Sequence, residues 1–148
     1  MFSARYEKIF EPCQIGTLKL KNRIVLPPMG TGYSEERRIG RRLLDYYEAR
    51  AKGGAGLIIT EGVAPSPKCQ GPRQLTLGDD ADLSGWRELA RVIHQHGAKL
   101  AVQLHHAGYE HRSGSFIQVA PSAVRVPGRM IGVSGQLPYE LTVEEIRE

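Results

Sequence analysis

The sequence predicts an α/β fold built on a parallel sheet, and three observations carry that prediction. Short apolar segments alternate with amphipathic helical segments along the chain. Each helical segment passes into the next apolar segment through a very short link. Each apolar segment is followed by a longer loop rich in Gly and Pro. That asymmetry gathers the long loops at the C-terminal ends of the strands, where barrel and doubly wound enzymes build their sites.

The elements follow in order. Residues 9–21 read as a hairpin, with Gly16-Thr17 as its turn between Cys13-Gln14-Ile15 and the alternating Leu18-Lys19-Leu20-Lys21. Arg23-Ile24-Val25-Leu26 is β-rich and apolar, the pattern of a strand buried on both faces, and Pro27-Pro28 stops it near residue 27. Arg41 to Lys52 reads as a helix with Leu43, Leu44, Tyr47 and Ala51 on one face, ended by Gly53-Gly54. Residues 56–61 give a second buried strand, closing on Gly62. Asp82 to His96 reads as a second helix, with Leu83, Trp86, Leu89, Ala90 and Ile93 as its apolar stripe and Gly97 as its stop. Residues 99–104 make the third strand.

Residues 107–138 are rich in Gly and Pro and read as one long loop, of the length that serves as a lid or wall of a site. Thr142-Val143-Glu144-Glu145 then has the form of a capping box, so a helix is expected to start there. The sequence stops at Glu148, about two turns into that helix. A helix begun and not continued, on a sheet of three strands with uncovered apolar surface, suggests a segment of a longer chain.

Composition narrows the function. The 148 residues are 41% hydrophobic and 24% charged, with a formal net charge of +4, as in ordinary globular proteins. Positive residues are scattered except for Arg37, Arg38, Arg41 and Arg42, which does not suggest a nucleic-acid-binding face. No apolar run approaches the roughly 20 residues of a membrane helix. The N-terminus lacks the apolar stretch of a signal peptide. Cys13 and Cys69 show no metal-ligand spacing and fit a reducing compartment, so a cytoplasmic protein is expected. His105-His106 lacks supporting ligands at metal-site spacing, and no metal site is expected.

Neither a dinucleotide GxGxxG nor a Walker loop is present; Gly30-Thr31-Gly32 is only a short echo of one. A set of strand ends remains: Pro28-Met29-Gly30, Glu61-Gly62 and Gln103. In neighbouring parallel strands they converge at one mouth. Glycine backbone lets a flat ligand approach closely. Gln103 carries both a donor and an acceptor, which suits the imide-like edge of a heteroaromatic ring.

The motifs Phe10-Glu11-Pro12, Ile15-Gly16-Thr17-Leu18 and Lys21-Asn22-Arg23-Ile24-Val25-Leu26-Pro27-Pro28-Met29 resemble the N-terminal hairpin and first barrel strand of Old Yellow Enzyme-type flavoproteins. Tyr46-Tyr47, Arg50-Ala51, Gly53-Gly54 and Gly56 to Glu61 are similar to their first helix and second strand. Val102-Gln103-Leu104 with His106-Ala107-Gly108 is similar to the third strand. Ala120-Pro121-Ser122 and Leu141 to Ile146 resemble the approach to the third helix.

The resemblance covers essentially the whole chain. It implies the N-terminal part of a TIM (β/α)8 barrel, about three βα units plus the hairpin, with residues 1–148 as an incomplete FMN-binding domain. It implies that Pro28, Met29 and Gly30 line the flavin from the first strand and Gly62 from the second. Gln103 would then hydrogen-bond the ring's pyrimidine edge. The implied activity is hydride transfer from NAD(P)H through FMN to an electron-poor alkene, an enone or enoyl thioester.

The Pro27 to Gly32 segment most resembles the branch of 2,4-dienoyl-CoA and enoate reductases, whose iron–sulfur cluster and FAD lie in later domains. The catalytic residues would also lie on later strands. Tyr109 stands where many relatives have Arg. Two other readings are a half-barrel that pairs in a homo-oligomer and a basic module that binds acidic partners through its arginines.

Overall fold

The computed structural model describes residues 6–69, 71, 73–78, 80–108, 117–125 and 137–147. A helical turn, α1 (Glu7–Phe10), precedes the hairpin β1 (Cys13–Ile15) and β2 (Leu18–Leu20), which pair antiparallel with Cys13 opposite Leu20. The hairpin therefore begins later than residue 9. Pro12 has no N–H to give a ladder, and pairing starts immediately after it. Gly16 makes the turn at φ +56°, a conformation that L side chains oppose. Leu18 and Leu20 share one face of β2, but only Leu20 is buried and Leu18 is exposed, so the expected buried face is covered only at its end.

The three strands that the pattern predicts lie parallel in one four-stranded sheet. The central one is β4 (Leu57–Ala64). Along one edge lies β3 (Val25–Leu26), with Val25 opposite Leu57 and Leu26 opposite Ile58. Along the other lies β6 (Lys99–Leu104), from Lys99 opposite Leu57 to Leu104 opposite Val63.

Two sequence expectations fail here. β3 spans only two residues, and it is not buried on both faces: Val25 is 39% exposed. Pro27 and Pro28 remove two N–H donors and end the ladder. In addition, the loop after β4 holds an unforeseen strand, β5 (Leu75–Thr76), which pairs with Val63 and Ala64 on the edge that β3 has left.

β4 carries a bulge. Ile59 faces Ala101 and Gly62 faces Gln103, so Thr60 and Glu61 together oppose Val102. The bulge changes the parity of the strand. Ile58 and Val63, an odd number of residues apart, both enter one core. The Thr60 hydroxyl accepts the Gln103 N–H at 3.3 Å across the irregularity.

The helices α2 (Arg41–Lys52) and α3 (Leu83–His94) pack together against this sheet. α2 buries Leu43, Tyr47 and Ala51, one residue per turn, while Leu44 is only half-buried. α3 buries Trp86, Leu89 and Ile93 as expected. It also buries Val92, whereas Leu83 at its start is exposed. Complete burial of a side chain such as Leu89 contributes about 1.5–3 kcal/mol.

The N-cap of α2 is Gly40, which has no side chain to cap with. The Glu35 carboxylate takes that place and accepts the Arg42 N–H at 3.3 Å. A Cβ on Gly40 would collide with that carboxylate. Gly54 and Gly97 follow the two helices with φ of +106° and +72°. At the opposite end of the sheet, Asn22 donates to the Gly54 carbonyl at 2.7 Å and accepts from Ile24 N–H at 3.1 Å.

Beyond β6 the chain forms a second parallel pair, β7 (Val119–Ala120) with β8 (Tyr139–Glu140), and β7 lies inside the stretch 107–138 that the sequence reads as one loop. Most of the expected wall at 107–138, with Tyr109, lies outside the described residues. The capping box forms as predicted before α4 (Val143–Arg147). Glu145 N–H donates to Thr142 Oγ1 at 3.2 Å, and Thr142 N–H donates to Glu145 Oε2 at 2.8 Å. No helix among the described residues is long and apolar enough to cross a membrane.

Candidate functional site

The C-terminal ends of β3, β4 and β6 open onto one cleft of about 490 Å³. Gly30 and Gly32 reach it from the loop after β3, and Glu61 and Gly62 from the end of β4. Gly71, Arg73 and Gln74 come from the loop before β5, and Gln103 and His105 from β6 and the residues after it. The volume is in the range of small-molecule and cofactor sites.

Each wall is tied to the sheet. Glu61 is 4% exposed, and its Oε2 accepts from both the N–H and the hydroxyl of Thr31, each at 2.7 Å. Its own N–H, inside the bulge, donates to the buried Tyr47 hydroxyl at 2.8 Å. Burial raises the Tyr47 pKa from 10.0 to about 12, partly opposed by that N–H.

On the second wall, Gln74 Nε2 donates to the His105 carbonyl and lies 3.1 Å from His105 Nδ1. Ser34 Oγ donates to the Arg73 carbonyl at 2.8 Å, which joins the first wall to the second.

Three of the five residues expected to hold a ligand, Gly30, Gly62 and Gln103, come together in this lining. Pro28 and Met29 are outside it, and Met29 is 58% exposed. Strand pairing ends at Leu26, so the ladder no longer sets the direction of these two side chains; the chain is next pinned at Thr31.

Gly62 lines the cleft, but a Cβ there would lie 2.9 Å from the His105 Cβ. Its bareness therefore makes room for His105. Gly30 does face open space, with nothing within 4 Å of its Cβ position. Gln103 is exposed on the lining, and its side-chain amide makes no hydrogen bond among the described residues. An uncommitted donor–acceptor amide beside bare glycine backbone fits the edge of a flat heteroaromatic ring.

The sequence pattern alone does not point to Arg73 and Gln74. The strand beside them, β5, spans only two residues, both buried, so no alternation marks it in the sequence. The arginine cluster is engaged locally: Arg38 pairs with Asp82 at 3.3 Å, Arg41 with Asp45 at 2.9 Å, and Arg42 lies over the Tyr33 ring. Cys13 and Cys69 are free thiols, donating to the Asn22 carbonyl and the Ser66 carbonyl.

Comparison with known proteins matches this architecture. Residues 8–148 fit the family model described as NADH:flavin oxidoreductase / NADH oxidase. An NADH oxidase from Thermoanaerobacter brockii is 43% identical over 97% of this chain and 22% of its own length. A cinnamate reductase from Clostridium sporogenes is 33% identical over 97% of this chain and 23% of its own length. Among solved structures, morphinone reductase superposes with a TM-score of 0.80 at 30% identity, over 94% of this chain and 41% of that one.

The chain thus spans under a quarter of the length of these two curated relatives. It has the fold of the N-terminal portion of their TIM barrel, with a cleft at the strand ends, and it belongs to the Old Yellow Enzyme-like NADH:flavin oxidoreductase family.

Proposed function

We propose that this chain forms the first flavin-facing wall of an FMN-dependent ene-reductase. The observation that carries the reading is the joint placement of Gly30 and the Gln103 amide, unbonded among the described residues, on one cleft at the C-terminal ends of parallel strands. When bound, FMN supplies hydride transfer between NAD(P)H and an electron-poor alkene.

This chain's residues bind and orient. Gln103 offers both a donor and an acceptor to the ring edge. Gly30 admits the ring because no side chain projects from it. The Thr31–Glu61 contacts hold the loop after β3 to β4, and the Gln74–His105 contacts hold the other side of the cleft together.

The relative named cinnamate reductase supports the alkene class, since cinnamate is an alkene conjugated to a carboxylate. The shares of 22% and 23% favour a long multidomain relative as the complete protein, with any iron–sulfur cluster and FAD outside this chain. Such an enzyme is expected in the cytoplasm, acting on small molecules.

The test uses the full-length protein. It should copurify with stoichiometric FMN, and NAD(P)H should bleach the flavin until an enone, an enoate or an enoyl thioester restores its colour. Absence of FMN, or a reduced flavin that no such alkene reoxidises, overturns the reading.

A further inference from the structure

Glu61 is the acidic residue of the cleft lining, and the sequence marks it only as a strand end. It is almost fully buried, and a buried carboxylate is unfavourable unless its oxygens are satisfied. One residue, Thr31, satisfies Oε2 twice, through its backbone N–H and its hydroxyl. Thr31 Oγ1 also accepts the Tyr33 N–H at 3.1 Å, and the Tyr33 ring stands edge-on to Tyr46 of α2 at 5.7 Å.

On either side of Thr31 stand Gly30 and Gly32, both in the cleft lining, and Gly32 has φ +66°. A wall made of two glycines has the greatest backbone freedom available to a chain. No strand pairing restrains it, because β3 has ended at Leu26. The Glu61–Thr31 pair is the side-chain clamp that joins this wall to the central strand. The bulge allows it, because Glu61 sits at the extra position and its N–H is taken by Tyr47 instead of a neighbouring strand.

We propose that Glu61 is a positioning residue for the flavin: by clamping Thr31, it fixes the Gly30–Gly32 wall against which the ring lies. The inference rests on the flavin reading of the cleft. Charge-assisted hydrogen bonds of this kind are strong, and losing both leaves the wall free to move away from the ligand.

The experiment compares full-length wild type with Glu61→Gln, Glu61→Ala, Thr31→Val and the Glu61→Ala/Thr31→Val double variant. The readouts are the FMN dissociation constant, from flavin fluorescence quenching on the apoprotein, and apoprotein melting. Gln keeps an acceptor oxygen for both donors, Ala keeps none, and Val removes the hydroxyl, with both its donation to Glu61 and its acceptance of the Tyr33 N–H.

Glu61→Ala should weaken FMN binding about ten- to a hundredfold, Thr31→Val about three- to tenfold, and Glu61→Gln less than about threefold. The effects in the double variant should be well short of additive, since Glu61→Ala already removes the shared contact and only the Tyr33 N–H contact is left for Thr31→Val to break. A merely structural role would lower the melting temperature and leave the affinity of the folded protein unchanged. Unchanged affinity in Glu61→Ala, or additive effects in the double variant, overturns the proposal. Should Glu61→Ala fail to fold, Thr31→Val decides, and unchanged FMN affinity there is equally fatal. Failure of wild type to bind FMN overturns the flavin reading and the clamp with it, whereas unchanged variants of a flavin-binding wild type overturn the clamp alone.

Discussion

Tyr47→Phe tests whether the bulge in β4 is held from outside the sheet. Tyr47 is 1% exposed, and its hydroxyl accepts the Glu61 N–H at 2.8 Å. That N–H sits at the extra position of the bulge. Phe fills nearly the same volume and leaves the donor buried without an acceptor. An unsatisfied buried amide costs about 1–3 kcal/mol, and that is the loss expected in urea unfolding at neutral pH. The midpoint should fall with little change in slope.

The effect should also depend on pH. Burial raises the phenol pKa from 10.0 to about 12 in the folded protein. Between those values the unfolded chain gives up its proton first, so unfolding becomes easier. The Tyr47 contribution is therefore whole below pH 10 and lost as pH rises towards 12. The decline amounts to about 2–3 kcal/mol. The variant lacks this term, so the gap between wild type and Tyr47→Phe should narrow above pH 10. A neutral-pH loss under about 0.5 kcal/mol, or a gap that stays constant across the alkaline range, would refute the account.

Gln103→Leu in the full-length protein should weaken FMN binding or slow flavin reduction while leaving the apoprotein melting temperature close to wild type, because the amide bonds nothing among the described residues; equal affinity and equal reduction rate would reject its role. Gly62→Ala should destabilise by about 1–3 kcal/mol, since the new methyl meets the His105 side chain; an unchanged unfolding midpoint would show that His105 moves aside freely. Thr142→Ala should speed amide exchange at Glu145, whose N–H the hydroxyl accepts, and an unchanged rate would show that the cap is not formed in solution. Backbone and hydroxyl hydrogen bonds from Thr142 hold the Glu145 carboxyl below its ordinary range, so the capping box should weaken as pH falls through that lowered value. The 148-residue chain by itself should bind FMN far more weakly than the full-length protein; tight stoichiometric binding by the short chain would show that the lining on this chain is sufficient to hold FMN.

The parts of the fold that depend on local pattern were legible in the sequence. Spacing in Arg41–Lys52 identified the α2 helix, and a hydroxyl three residues before Glu identified the capping box. β5 and the β7–β8 pair were not legible. Two-residue strands have no periodicity, and their identity comes from the partner that a distant turn delivers. The over-reading of β3 has a related cause: an apolar run records composition, whereas burial depends on what covers it. Gly30 and Gln103 could be read towards the cleft because they close strand ends with bare backbone and a bifunctional amide. Glu61 was legible only as a strand end, since its contact is with Thr31, thirty residues away in sequence. Gly62 was expected to line a ligand; it lies in the cleft lining, but His105 takes up the space beside it.

These contacts give the cleft an unequal architecture. Among the described residues, β4 bonds to each segment that borders the cleft. Glu61 holds the loop after β3, and the Ala64 carbonyl accepts from the Thr76 hydroxyl at 3.2 Å in the strand that carries Gln74. The Val63 carbonyl accepts the His105 N–H at 2.8 Å, just past β6. The walls are joined to one another at fewer points, such as Ser34 to Arg73 and Gln74 to His105. A substitution in one of these segments therefore acts near its own position, whereas one at the end of β4 acts on all of them together. The end of β4 is also where the bulge lies. A bulge there rotates the strand so that Val63 returns to the core while Glu61 and Gly62 remain in the lining. A regular strand would put Ile58 and Val63 on opposite faces, so one change of register serves both the core and the mouth.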